Sequence, residues 1–299
     1  MSFMKRLLTG RVAIVTGAGR GLGRAHALAL AAGGARILVN DLDGSAAEEV
    51  SREIQARGGE ALSNRANVQR SGEVAAMVAR ALERWGQVDI LVNNAGILRD
   101  KTFAKLDLED FRLVLDVHVM GSVNCTRAVW LHMKERGYGR VIFTTSSSGL
   151  FGNFGQSAYS AAKMALVGLM QTLALEGSRH GIHVNCIAPS AATAMTHDLW
   201  TPEDLAALTP ERVSPAVVAL ASEAAPTKCV VLAGAGSFKV SNVTMTQGIH
   251  LADAQLTPEA LLAQWAQIQE RSGEVVPATG FEQYRFEVDS AGKDPKQQS

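Results

Sequence analysis

Six short runs of apolar, largely β-branched residues recur along the chain: RVAIVT (11–16), RILVND (36–41), VDILVNN (88–94), RVIFTTS (140–146), IHVNCIA (182–188) and KCVVLAG (228–234). Their apolar character is continuous rather than alternating, as in strands buried on both faces. A weaker run, EALSNRANV (60–68), fills a gap in the spacing. Between them, at 22–33, 45–58, 71–85, 107–136, 157–179 and 211–223, apolar residues return at helical spacing. Such alternation predicts an α/β domain, a doubly wound seven-stranded parallel sheet with helices on both faces, over residues 8–248.

The pattern changes after residue 248. Thr257-Pro258-Glu259 reads as an N-cap followed by proline at the first helical position, and LLAQWAQIQ then carries apolar residues at helical spacing. Residues 249–288 are therefore expected to form a C-terminal helical extension, packed on the core or on a second subunit. The end of the chain, 289–299, has almost no apolar residues and reads as a mobile tail. No internal repeat is present in the sequence.

Composition narrows the classes of function. The 29 basic residues balance the 29 acidic ones, so neither nucleic acid nor an acidic membrane surface is implied as a partner. Cys125, Cys186 and Cys229 lie far apart without metal-ligand spacing, so they read as buried thiols of a reducing, cytoplasmic compartment, and no metal site is expected. The first residues lack the apolar run of a signal peptide, and no segment is read as approaching a membrane span.

Two clusters carry candidate chemistry. TGAGRGLG (16–23) follows the first strand and opens the first helix, with Gly17, Gly21 and Gly23 where the backbone must turn sharply and a pyrophosphate must approach. The helix N-terminus adds free N–H groups and partial positive charge. Asp41, ending the second strand, suits the ribose hydroxyls of adenosine and repels a 2′-phosphate. Arg20 pulls the other way, toward a 2′-phosphate, but its side chain can turn to solvent, so NAD is expected over NADP. NNAG (93–96) ends the fourth strand; Asn93 or Asn94 can pin neighbouring strands, and Gly96 leaves room for adenosine.

The second cluster is Tyr159 and Lys163, four residues apart and so on one helical face, with Ser146 thirteen residues before the tyrosine at a strand's carboxyl end. Moving a hydride from an alcohol requires a group that takes the hydroxyl proton. A free tyrosine titrates near ~10, too high for that task at neutral pH, and a lysine ammonium and a cationic nicotinamide close by are expected to lower it. Ser146 would hold the substrate oxygen, and Lys163 would also reach the nicotinamide ribose.

Taken together, TGxxxGxG, NNAG and the Ser–Tyr–Lys set over residues 10–248 resemble the short-chain dehydrogenase/reductase (SDR) family. That resemblance implies a Rossmann-like fold and NAD(P)-linked oxidoreduction, with usual dimers or tetramers. A narrower likeness, in GRVAIVTGAGRGLGRAHALALA, VNDLDG, NNAGILRD, GNFGQSAYSAAK, MTHDLWTPEDL and LTPEALLAQWAQI, is to the (3R)-hydroxyacyl-CoA dehydrogenase domain of peroxisomal multifunctional enzyme type 2, here free-standing. The resemblance adds Leu22, Asn67, Val68, Ala95, Pro189 and Thr193 to the cofactor set. It places His118 where the family at large has an asparagine, whose backbone carbonyl holds a water beside the lysine. The ring of His118 is the other candidate for that proton path. Residues 190–212 read as a lid, and Phe151, Phe154, Gln156, Met195 and Trp200 as substrate contacts.

The reading that follows is an NAD-dependent dehydrogenase oxidising a secondary alcohol, with acyl-CoA thioesters as the substrate class implied by resemblance. The alternatives are a hydroxysteroid or other cyclic-alcohol dehydrogenase, an NADPH-linked 3-oxoacyl-carrier-protein reductase, and a nucleotide-sensing binding module without turnover.

Overall fold

In the computed structural model, which describes residues 7–192 and 201–291, the apolar runs become parallel strands. They are β1 (Val12–Thr16), β2 (Arg36–Asn40), β3 (Ala61–Asn64), β4 (Ile90–Asn93), β5 (Gly139–Thr144), β6 (Ile182–Pro189) and β7 (Val230–Gly234). An eighth, β8 (Ser237–Ser241), was not expected. It returns from β7 through a two-residue turn in which Ala235 and Gly236 both have positive φ, +51° and +76°, the conformation that matches strand twist in a tight hairpin. Its short, mostly exposed run SFKVS is an edge strand, which carries no buried apolar signature to read.

The sheet order is β3-β2-β1-β4-β5-β6-β7-β8. Val12 and Ile14 join one apolar layer, with α3 (Ser71–Trp85), α5 (Gly121–Arg136) and α7 (Ser157–Gly177). Ala13 and Val15 join the other, with α1 (Gly21–Ala32), α2 (Gly44–Ala56) and α9 (Ser214–Ala221). Successive strand residues thus bury themselves on opposite faces, as pleating requires, and both faces are dry. The strand order reverses between β1 and β4, which opens the crevice at the carboxyl ends of the strands where such sheets take ligands.

The expected single helix over 107–136 is divided. α4 (Leu108–Leu115) passes through one π turn, Asp116–Met120, into α5. Such a widened turn puts an extra residue into the helix and re-aims the side chains there. One helix also passes the length and composition test for a membrane span, Ser157–His180, with mean hydropathy 1.2. It packs on β5 and β6 and contributes Leu166, Val167, Met170 and Ala174 to the core, which accounts for its apolarity.

The chain divides into two compact units between Val240 and Ser241, ahead of residue 248. In the second, Met245 and Val275 form an isolated antiparallel bridge. α10 (Pro258–Ala263) starts as expected, with the Thr257 hydroxyl accepting from the Ala260 N–H at 3.1 Å. α11 (Trp265–Ile268) and α12 (Gly280–Ala291) follow.

Candidate functional site

At the carboxyl end of β1 the chain turns through Gly17 and Gly21, with φ of +60° and +53°. A Cβ on Gly23 would lie 2.1 Å from the carbonyl oxygen of Gly17 and 2.6 Å from the Asn94 amide. The turn is therefore closed on itself and leaves no room for a side chain there. Gly23→Ala is expected to abolish nucleotide binding and to lower the melting temperature by several degrees, checked by NAD titration calorimetry beside a thermal melt. Arg20 stands at the N-cap of α1 and gives the helix no side-chain cap, so the first-turn N–H groups lack a side-chain acceptor and suit an anion.

Two residues hold this turn in place. Asn94 donates through Nδ2 to the carbonyls of Thr16 and Gly17, at 3.1 and 3.0 Å. The Thr16 hydroxyl accepts from the N–H groups of Asn94 and Ala95, at 3.0 and 3.1 Å. Asn93 turns away: its amide donates to Thr126 on α5 at 3.1 Å. Of the two asparagines expected to pin neighbouring strands, Asn94 is the one that clasps the glycine turn; Thr16, at the strand end beside it, was not singled out from sequence.

Asp41 is positioned by backbone donors on both oxygens, Gly19 N at 2.9 Å and Asp43 N at 3.0 Å. Arg20 does not stand free. Its guanidinium meets Asp43 at 2.6 Å. The Asp43 carboxyl is held below its ordinary range by the Ser45 hydroxyl and the Ala46 N–H, and also by Arg20. Asn67 spends its side-chain oxygen within its own loop, on the Gln69 N–H at 3.0 Å. The carbonyl of Val68 accepts from Asn124 at 2.9 Å. Leu22 lies in the first turn of α1, and Pro189 ends β6, half-buried. Thr193, Met195 and Trp200, with the stretch 193–200 of the expected lid, lie outside the described residues.

The reactive cluster stands at the same sheet edge, two strands over, beyond β4. Ser146 follows β5 and caps α6 (Ser147–Phe151), its Oγ accepting from the Ser148 N–H at 3.2 Å. Gly149 on α6 packs so tightly on α7 that a Cβ would sit 2.7 Å from that of Lys163. This contact sets α6, and Ser146 with it, against the face of α7 that carries Tyr159 and Lys163. Lys163 is buried, its Nζ donating to the Thr144 carbonyl at 2.6 Å and lying 5.4 Å from the Tyr159 ring centroid. Burial brings its pKa from 10.5 down to about 7.

The protein alone, without the cationic nicotinamide on which the expected depression also rests, does not lower the Tyr159 pKa. Burial raises it, outweighing the hydrogen bond from Ser146, and the charge of Asp100 adds to the rise. The lysine cannot reverse this, because its own ammonium is destabilised by burial and its proton is directed at a backbone carbonyl.

His118 lies on the π turn, buried, its ring edge-on to Tyr159 with centroids 5.4 Å apart. Nε2 sits between the N–H and the carbonyl of Ile97, at 3.0 and 2.8 Å. A Cβ on Gly96 would fall 2.3 Å from the ring. That glycine therefore makes room for the imidazole. Burial, then the charge of Lys163, lowers the ring's pKa to about 3, so it is neutral at pH 7. The His118 carbonyl accepts from Ser122 at 2.6 Å. The ring therefore braces the segment after β4.

Phe151 and Phe154 are 68% and 89% exposed beside Ser146, as open as rim residues can be. Gln156 is hydrogen-bonded on both ends of its amide, to Asp100 on one side and to Ser148 and Asn153 on the other. Among the described residues no group of three His, Cys, Asp or Glu side chains could hold a metal ion. The arrangement offers a nucleotide cradle and, at the same sheet edge, a buried hydroxyl and amine flanking a half-buried phenol, able to orient an oxygen and move its proton.

Residues 11–204 match the family model of the short chain dehydrogenases. Among curated relatives, the peroxisomal multifunctional enzyme type 2 of Mus musculus is 43% identical over 309 residues, covering 97% of this chain. The chain spans 42% of that enzyme's length. A crystal structure of a short chain dehydrogenase from Mycobacterium avium is 40% identical, with a TM-score of 0.78 over 92% of this chain and 99% of that one. A 7α-hydroxysteroid dehydrogenase complexed with NADH and 7-oxo glycochenodeoxycholic acid is 30% identical, with a TM-score of 0.73 over 79% of this chain and 98% of the other.

Proposed function

Because this chain belongs to the short-chain dehydrogenase/reductase family, enzymes acting on CH–OH groups, we propose that it is an NAD-dependent dehydrogenase converting (3R)-hydroxyacyl-CoA thioesters to their 3-oxo forms. The observation that carries the reaction type is the Ser146–Tyr159–Lys163 cluster, with Ser146 and Lys163 buried and Tyr159 half-buried, on the same sheet edge as the glycine turn. The thioester is supported by the likeness to multifunctional enzyme type 2, with the rim of Phe151 and Phe154 suited to an acyl chain.

The cradle fits a dinucleotide: an uncapped α1 N-terminus, a turn with no space for a side chain, and Asp41 aimed by two backbone donors. Nicotinamide, when bound, supplies the hydride acceptor. The protein's part is proton and position. Ser146 holds the substrate hydroxyl, Tyr159 takes its proton, and Lys163 supplies positive charge near the phenol and a donor toward the ribose. Ionised Asp41 accepts from the adenosine ribose hydroxyls and opposes a 2′-phosphate. Arg20, held by Asp43, is drawn from the role that would favour NADP. Asp41→Asn is expected to narrow the NAD preference by roughly tenfold in kcat/KM, about 1.4 kcal/mol.

A groove of about 400 Å³ on the outer faces of α5 and α7, lined by Trp130, Leu131, Leu169 and Leu173 among others, lies away from the chemistry. It suits pairing of two copies into a dimer or tetramer.

The test is initial rates at 340 nm, crossing NAD and NADP with (3R)- and (3S)-hydroxyacyl-CoA. Turnover of the (3R) thioester with NAD is the expected result. Turnover confined to steroids or other cyclic alcohols would move the substrate to the second reading, which the likeness to the hydroxysteroid enzyme favours.

A further inference from the structure

One chain of hydrogen bonds joins the reactive cluster to the protein surface, and the proposed reaction leaves it unused. Asp100, exposed on the segment after β4, accepts from Nε2 of Gln156 at 2.6 Å. Oε1 of the same amide accepts from Ser148 Oγ at 2.7 Å and from Asn153 Nδ2 at 3.0 Å. Ser148 then donates its backbone N–H to Ser146 Oγ at 3.2 Å, and the Ser146 hydroxyl acts on the Tyr159 phenol, pulling its pKa down against burial. The loops carrying Asp100 and Gln156 also meet directly, since a Cβ on Gly155 would lie 3.9 Å from the carbonyl carbon of Lys101.

The direction of this chain is set at its outer end. An ionised carboxylate only accepts, whereas an amide has a donor end and an acceptor end that can exchange by a half-turn. With Asp100 in place, Nε2 must face it, and Oε1 must face Ser148 and Asn153. Reversed, the amide would present its NH2 to the NH2 of Asn153, and one donor would lose its acceptor. A single exposed hydrogen bond contributes little, but here it decides between two orientations of a group that anchors the α6 turn. The neighbours Arg99 and Lys101 both turn to Asp110, at 3.4 and 3.0 Å, so the carboxylate of Asp100 addresses the amide rather than these cations.

We propose that Asp100 and Gln156 are positioning residues for hydride transfer: by fixing the polarity of the Gln156 amide they hold the α6 turn where the Ser146 hydroxyl points at Tyr159. The kinetic part rests on the dehydrogenase reading; the part concerning Tyr159 does not. The groups with charge or titratable protons around the phenol are Lys163 on its own helix, His118 on the π turn and Asp100. Of these, Asp100 opposes the phenolate, so removing its charge is expected to ease ionisation.

The experiment uses the full chain and the variants D100A, Q156A, D100A/Q156A and D100N. D100A and Q156A are each expected to lower kcat about tenfold or more with KM for NAD unchanged. The double variant should fall no further than the worse single one, the non-additivity of two residues acting as a unit. D100N keeps an acceptor for Nε2 and should recover most of the rate. In parallel, the Tyr159 phenol is titrated by absorbance at 295 nm, each variant against the same background carrying Tyr159→Phe. D100N, which keeps Ser146 in place, should lower the phenol's midpoint and move the oxidation pH profile the same way, whereas D100A also gives up the larger pull of Ser146 and should raise it. A kcat for D100A within twofold of the parent, additive losses, or an unmoved phenol midpoint would each overturn the proposal. If the parent oxidises no alcohol, the dehydrogenase reading fails instead, and the phenol titration still decides whether Asp100 acts on Tyr159.

Discussion

Tyr159→Phe is expected to cut turnover by roughly 10²–10⁴-fold, the usual contribution of a positioned acid or base, while NAD binding stays within about twofold. The substitution removes one oxygen and keeps the ring. The edge-on contact with His118 persists, as does the packing of Ala158 and Ala162 on α4, so fold loss is not the explanation for inactivity. Because burial raises the phenol's pKa, the protonated form dominates at neutral pH. Oxidation of an alcohol needs the phenolate, and so should quicken as pH rises. Reduction of the ketone needs the phenol, and should slow over the same range. Activity of Tyr159→Phe within tenfold of the parent would place the proton acceptor elsewhere and sink the assignment. A sensor without turnover would show no rate to lose and would bind its partner unchanged.

The doubly wound sheet was legible because its evidence is local. Continuous apolar runs and intervening helical periodicity are written along the sequence, and Gly17, Asp41, Ser146, Tyr159 and Lys163 stand at element ends fixed by that periodicity. What escaped reading depends on contacts between segments distant in sequence. A pinning role for Asn93 or Asn94 was legible, but not its partner: Thr16 accepts from Asn94 across 78 positions, and Asp100 meets Gln156 across 56. Neither pair has a spacing that a one-dimensional pattern could flag. β8 was missed for the opposite reason: its residues are mostly exposed, so no apolar run announces it. The protein's own effect on the Tyr159 proton was not legible either, because charge proximity can be read from a four-residue spacing, whereas burial, which raises the phenol's pKa in the protein alone, is set by the whole fold.

Lys163→Met is expected to abolish turnover and yet raise thermal stability at pH 7. The ammonium is buried with one hydrogen bond, to the Thr144 carbonyl, and its pKa falls from 10.5 to about 7. Below pH 7 both the folded and the unfolded chain carry the proton, and the folded state bears the whole penalty, on the order of 5 kcal/mol at 1.36 kcal/mol per pKa unit. Between 7 and 10.5 the unfolded lysine is charged and the folded one neutral. The unfolded state then binds the extra proton, so the stability of the parent rises with pH across that window. Above 10.5 the penalty is gone. Methionine fills a similar volume without charge but leaves the Thr144 carbonyl without its donor, which costs about 1–3 kcal/mol. The net expectation is a melting temperature several degrees above the parent at pH 7, with the advantage shrinking toward zero or reversing by pH 10.5. Parallel thermal melts from pH 6.5 to 10.5 would read this directly. A variant destabilised at every pH would mean that Lys163 is held by packing the methionine cannot reproduce; a pH-independent gain would mean that its ammonium is not penalised in the fold. The expected pattern would identify α7 as a helix that carries a destabilising charge because the reaction needs one beside Tyr159.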